Sequence, residues 1–211
     1  MSTLPMLAEL QRVLSRMVIT TDLTPNHLIR HVCGVDVSYH TNRAFCSVVN
    51  MNRNSFDIIE TKESQSSIEF PYISGFFMLR EASPIFATLR KLKSSFDVLI
   101  INGHGILHPR RMGLASFIGL LVDKPTIGIA RRLLCGEEDL DNYVSIDHDI
   151  CGKKLIRKGS NYVYVSIGHK ISLETSINLA IELFRGESRL PEPLMTADLM
   201  SKKFRSTYLS R

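Results

Sequence analysis

Apolar residues at Leu4, Leu7, Leu10, Leu14, Met17 and Val18 form a stripe at helical spacing and predict an amphipathic helix opening the chain. A polar stretch from Thr20 to Asn26 ends it. The period then changes. Three runs rich in Val, Ile, Phe and Cys, at His31–Tyr39, Arg43–Met51 and Ser55–Thr61, read as strands. The links between them, His40-Thr41-Asn42 and Asn52-Arg53-Asn54, are short and polar, which favours an antiparallel meander. From Gly75 helical spacing returns through Phe76, Phe77 and Leu79 to Phe86, Leu89 and Leu92, and Pro84 is expected to bend or split that helix.

The second half alternates. Asp97–Asn102 is a compact buried-strand signal, followed by a glycine-rich loop, an apolar helix around Leu114–Val122 and a strand at Thr126–Ala130. Strand, helix and strand at this spacing predict a right-handed parallel crossover. The stretch beyond Ala130 has no clear period until a strand at Asn161–Ile167. Ser172 is placed to cap a helix carrying Leu173, Ile177, Ala180, Ile181 and Phe184, with Gly186 ending it. Pro193 suits the first position of a last, short helix. The expected fold is α/β, with an antiparallel three-strand meander followed by parallel strands in one mixed central sheet flanked by helices. That is the element order of a ribonuclease H-like fold, expected here as one domain over residues 1–211.

Composition narrows the partners only slightly. Hydrophobic residues at 44% and charged residues at 22% describe an ordinary globular chain, not a disordered one. The 26 basic and 21 acidic residues leave a net charge of +5, compatible with a polyanion without requiring one. The N-terminus lacks the basic start and unbroken apolar run of a signal peptide, and no apolar run is long enough to span a bilayer. A cytoplasmic protein with no membrane partner is expected, or a nuclear one where the cell has a nucleus. Cys33, Cys46, Cys135 and Cys151 are scattered without a C-x-x-C pair and read as idle thiols.

Four side chains could assemble a metal site. Asp36 lies within the first strand, pointing to the opposite face from Val35 and Val37. Near a core such a carboxylate must be paired, metal-bound or exposed. Glu81 follows Arg80 on a helix, where an exposed ion pair is the plainer explanation. Asn102 ends a buried strand, the place where ligands of open α/β sheets gather, although it also suits the turn before Gly103. Asp198 sits on the last helix, where solvent exposure would suffice to explain it.

The loop from Asn102 to Gly113 is the most unusual segment. Gly103 and Gly105 allow close backbone approach, and His104, His108, Arg110 and Arg111 supply donors suited to phosphate. Phe70-Pro-Tyr-Ile73 places an aromatic and a branched apolar residue just before a helix, a tip able to wedge between bases or to pin a loop through Tyr72.

At these segments the chain resembles endonuclease V, the family that nicks DNA, and in many organisms RNA, near inosine. The matching pieces run in the family's order: Gly34–Ser38, Pro71-Tyr-Ile73 leading to Arg80-Glu81, Gly103-His-Gly105 with His108–Arg111, Pro125–Ala130, Gly168-His169 with Ser172, and Arg189–Pro193 with Asp198. The resemblance implies a ribonuclease H-like fold and a metal centre built on Asp36, Glu81 and residue 102, with Asp198 at a further catalytic position. It implies Mg²⁺ as cofactor, with Mn²⁺ as a substitute. Pro71, Tyr72 and Ile73 match the strand-separating wedge, and Gly75, Gly103 and Gly105 fall where backbone lines the pocket for an extruded base. His108, Arg110 and Arg131 complete the substrate-binding set. The implied partner is inosine-containing DNA or RNA, bound by a monomer. The implied reaction cuts the second phosphodiester 3′ to inosine, leaving a 3′-hydroxyl and a 5′-phosphate.

Three positions depart from the family. Asn102 stands where the family has a metal-binding Asp, and a neutral amide offers one carbonyl oxygen where a carboxylate can bridge ions. The expectation is weakened metal binding and reduced cleavage with nucleic-acid binding retained. Arg131 stands where the family typically has Lys, and Ser74 replaces a proline that often stiffens the wedge. Three readings follow: an inosine endonuclease slowed by Asn102, an inosine-binding protein that no longer cuts, and an enzyme acting on a small phosphorylated substrate with no use for a Tyr72 wedge.

Overall fold

Nine strands form a single sheet in the order β3-β2-β1-β4-β5-β9-β8-β7-β6 in the computed structural model, which describes residues 3–157 and 161–210. The meander is present: β1 (His31–His40), β2 (Arg43–Asn52) and β3 (Ile58–Ser67) pair antiparallel in sequence order. β3 starts later than the pattern suggested, because residues 53–57 form the turn between the strands. Asn52 Oδ1 accepts from the backbone N–H of Asn54 and Ser55, and Phe56 adopts φ 62°. The parallel crossover is also present. β4 (Val98–Asn102) lies parallel to β1, and β5 (Thr126–Ala130) lies parallel to β4 after helix α3 (Leu114–Val122).

Beyond β5 the parallel pattern stops. β9 (Tyr162–His169) runs antiparallel to β5, and a ribbon of β6 (Glu137–Glu138), β7 (Tyr143–Ile146) and β8 (Asp149–Ile156) extends the sheet past it. That ribbon had no readable signal. β6 is two exposed glutamates, and β8 mixes exposed and buried positions without alternation.

Alternation along β1 sorts the two faces. Cys33, Val35 and Val37 join one apolar core with α2 (Phe77–Leu89) and α3, through Met78, Ile85 and Ile118. The second core lies towards α4 (Leu173–Glu182) and the start of α5 (Glu192–Leu209), where Val32, Leu179, Leu183 and Leu194 meet. Pro84 does not split α2, which runs unbroken past it. One helical hydrogen bond is missing there, and the burial of Met78, Ala82, Ile85 and Leu89 offsets it. Ser172 caps α4 as expected, its Oγ accepting from Thr175 N–H at 3.1 Å.

Two helices differ from the pattern. α5 is the longest helix, 18 residues, where a short one was expected. Its buried stripe, Pro193, Leu194, Ala197, Asp198 and Ser201, is too polar and too small-sided to register as amphipathic. It is anchored by Phe45, whose ring meets Phe204 at 5.6 Å and Tyr208 at 5.3 Å. α1 (Thr3–Ser15) forms, but Leu4 and Leu10 face outward, and the one residue it buries fully is Gln11.

Gly105 is a point of closest packing. A Cβ built there would stand 1.8 Å from the Ile167 carbonyl oxygen of β9. Gly105→Ala is therefore expected to lower stability by about 3 kcal/mol or more, since backbone cannot give way as a side chain can. Denaturant titration of the variant against the parent measures this.

Candidate active site

A cavity of about 570 Å³ opens at the carboxyl ends of β1, β4 and β5. Strand geometry explains who lines it. Val35 of β1 pairs with Ile101 of β4, so the next residues, Asp36 and Asn102, stand side by side at the sheet's end. Asn102 Nδ2 donates to Asp36 Oδ1 at 2.8 Å. Asp36 points to the α5 face, where Ser201 Oγ donates to its other oxygen at 3.2 Å. Asp198, one turn earlier on α5, accepts from Lys202 Nζ at 2.6 Å. Glu81 reaches in from α2 on the opposite face, accepting from the Tyr39 hydroxyl at 2.5 Å. Thus Asp36, Glu81, Asn102 and Asp198, read separately from the sequence, line one cavity.

The carboxylates are under electrostatic pressure. Burial pushes the Glu81 carboxyl from an ordinary 4.5 up to about 8; the neighbouring Asp36 adds to this, while the Tyr39 hydrogen bond and Arg80 oppose it. Burial likewise raises Asp36, with Asp198 pushing the same way and the Asn102 and Ser201 hydrogen bonds opposing. Two dry carboxyls that disfavour each other's charge are what a divalent cation would relieve. Among the described residues no three His, Cys, Asp or Glu side chains are arranged to hold one ion. The available donor set is instead two acids and an amide, which can offer hard oxygen donors, the Asn102 amide here donating its N–H to Asp36.

The wedge and glycine-loop segments divide between cavity and support. Tyr72 is 68% exposed, its ring edge-on to Phe77 at 5.8 Å, so it projects from the rim and does not pin the loop to the core. Pro71 and Ile73 flank it without lining the cavity, whereas Gly75, Gly103, His108 and Arg131 do line it. Gly75 needs its φ of 77° to turn the chain from the wedge into α2.

Several expected phosphate donors face elsewhere. Arg110 Nη2 donates to Gly75 O at 2.5 Å and Nε to Gln11 Oε1 at 2.6 Å, with the guanidinium over Phe76. Arg111 is spent on Cys151, the Ile146 carbonyl and Asp149. The Gly105 N–H, expected to line the base pocket, donates instead to Ser166 Oγ at 2.9 Å. The physical reason is common to all three: the loop packs against α1, the residue 75 turn, the β7–β8 hairpin and β9, and acceptors on those neighbours take these donors. Burial depresses His108 to about 4, with Arg110 adding to the effect. Its neutral ring donates from Nε2 to Gly75 O at 3.1 Å while Nδ1 accepts from Arg110 N–H.

Other cavity residues were not singled out in the sequence. Tyr39 and Arg132 line it, Ser201 holds Asp36, and Lys202 holds Asp198. Arg132 had a usable signal, since like Arg131 it follows directly on the carboxyl end of a parallel strand. Gln11 had none, being one polar residue within an otherwise apolar helix face.

Mixed sheet order and a carboxylate cavity at the ends of β1 and β4 define a ribonuclease H-like nuclease. Residues 12–199 match the family described as Endonuclease V, and the chain belongs to that family of nucleases. It is 38% identical over 203 residues to the endonuclease V of Dictyoglomus thermophilum, covering 92% of this chain and 87% of that protein. Among solved structures, the Bacillus subtilis endonuclease V superposes with TM-score 0.90 at 28% identity, covering 100% of this chain and 95% of the other. An Asp-to-Asn variant of the Ciona intestinalis endonuclease V, solved with a 23mer DNA containing an inosine followed by a ribo-adenosine, superposes with TM-score 0.85 at 25% identity, 95% of each chain being covered.

Proposed function

We propose that the chain recognises inosine in DNA or RNA as an extruded base and cleaves the second phosphodiester on its 3′ side, with a rate held down by Asn102. The observation that carries this reading is the convergence of Asp36, Glu81, Asn102 and Asp198 on one cavity whose rim bears the exposed Tyr72. Tyr72 separates the stack, Gly75 and Gly103 present backbone to the base, and Arg131 with Arg132 at the mouth meets phosphate. Asp36 and Glu81, with the Asn102 carbonyl, would hold Mg²⁺ or Mn²⁺. Such an ion lowers the pKa of a bound water and stabilises the leaving oxygen. Asp198 lines the same cavity and is paired with Lys202, whose charge also acts on Asp36.

The second reading is an inosine binder that does not cut. It is favoured by the engagement of Asp36 with Asn102 and of Asp198 with Lys202, which occupies lone pairs an ion would need. A small phosphorylated substrate fits less well, because Arg110 and Arg111 are turned into the protein.

Tyr72→Ala separates both inosine readings from the small-substrate one. On strands carrying one inosine, binding is expected to weaken by about tenfold or more, the scale of losing an aromatic that stacks on a base. Binding to strands without inosine should barely change. An unchanged preference for inosine would contradict the extrusion account.

A further inference from the structure

The fully buried residue of α1 is polar, and all its polar atoms are committed. Gln11 Nε2 donates to Gly75 O at 3.1 Å and to Met112 O at 3.0 Å, while Oε1 accepts from Arg110 Nε at 2.6 Å. Two carbonyls on one side and a guanidinium on the other fix which way the amide points. Its partners lie in two separate segments: Gly75 closes the wedge loop, and Arg110 and Met112 end the glycine and histidine loop. Gly75 O is the hub, taking donors from Gln11, His108 and Arg110 together. Gln11 itself lies on the cavity wall.

We propose that Gln11 is a positioning residue that sets the separation of these two loops, and through it the fit of the cavity to the extruded base. The proposal rests on the inosine reading above. It differs from generic packing on physical grounds. The half-buried Leu14 already packs α1 onto the α2–α3 core, while Leu4, Met6, Leu10 and Val13 are exposed, and the most deeply buried position of the helix is given to an amide. A buried carboxamide is directional, and this one ties Gly75, three residues beyond Tyr72, to the far wall of the cavity. Gln11 also falls one residue before the span that matches the family, so the tie is made from outside it.

Two variants of the full chain test this. Gln11→Met keeps the volume and loses every hydrogen bond; Gln11→Glu keeps an acceptor for Arg110 but loses both donations. Binding is measured in chelator, so no strand is cut, to single strands identical except for one inosine or guanosine. Hydrogen exchange of residues 70–77 in the free protein is followed in parallel. Preference for inosine is expected to fall about tenfold in both variants, the scale of a small misplacement in a fitted site, with guanosine-strand binding kept within about twofold. Exchange in 70–77 should quicken while β1, β4 and β5 stay protected. If the parent prefers inosine and both variants match it, the proposal is overturned. It is equally overturned if protection falls throughout the sheet, because Gln11 then serves global stability. A parent without preference for inosine sinks the functional reading, and this proposal with it.

Discussion

Restoring a carboxylate at position 102 is expected to raise cleavage beside inosine by about 10²-fold or more, the scale of a group that stabilises charge developing in the transition state. The reason is local. Asn102 Nδ2 now donates to Asp36 Oδ1 at 2.8 Å, making an amide–carboxyl pair where two carboxylates would gather a cation. In Asn102→Asp that bond becomes a repulsion, since both groups carry charge and Asp36 is already disfavoured by burial. A divalent ion removes the repulsion. The variant should therefore be less stable than the parent in chelator and gain more in Tm from added Mg²⁺ or Mn²⁺. Binding to inosine strands should change by only a few-fold, because the proposed wedge and phosphate contacts are made by other side chains, Tyr72, Arg131 and Arg132. Single-turnover cleavage and thermal melts with and without metal read these effects separately.

Glu81→Gln is the second large effect, with opposite signs in two measurements. The variant loses a carboxylate of the donor set, so metal-dependent cleavage in the Asn102→Asp background should fall by about 10²-fold or more. Metal-free stability should rise at alkaline pH. The Glu81 carboxyl is raised to about 8, so the folded protein holds a proton there that the unfolded chain releases near 4.5. That contribution is fully present below about pH 4.5 and is lost as pH rises through about 8. Ionised Glu81 thus costs the folded state on the order of 5 kcal/mol above that window. Gln keeps an acceptor for the Tyr39 hydroxyl and carries no charge. In chelator, Glu81→Gln should melt at least about 4 °C above the parent at pH 9 and close to it at pH 4.5. Equal melting at both would mean that Glu81 does not sit in a dry site.

The parts legible in the sequence share a feature: one local pattern sufficed to specify them. Runs rich in Val, Ile, Phe and Cys with short polar links pointed to the meander, and the apolar run Val98–Ile101 to the central parallel strand. Asp36, Glu81 and Asn102 stood out because the family resemblance marked their positions, and the register of β1 on β4 then brings two of them into contact. What escaped depends on partners distant along the chain. The β6–β8 ribbon is defined by pairing with β9, not by its own composition. α5 draws its length from Phe45 on β2, some 160 residues earlier in the chain than Phe204 and Tyr208. Arg110 looked like a phosphate ligand in a loop of donors; only folding shows that Gly75 and Gln11 use it. Gln11 itself sits between Leu7 and Leu14 on the helix face that packs inward, where the apolar pattern gave no reason to expect an amide.

The central claim, an inosine nuclease limited at one residue, is tested most directly by mapping products. The parent and Asn102→Asp are incubated with Mg²⁺ or Mn²⁺ and end-labelled single strands of DNA and RNA, each carrying one inosine, beside guanosine controls. The account predicts one product from the variant, ending in a 3′-hydroxyl at the second phosphodiester beyond inosine. It also predicts much less of that product from the parent, and none from the controls. Cutting by the parent as fast as by the variant, or at sites indifferent to inosine, would contradict it.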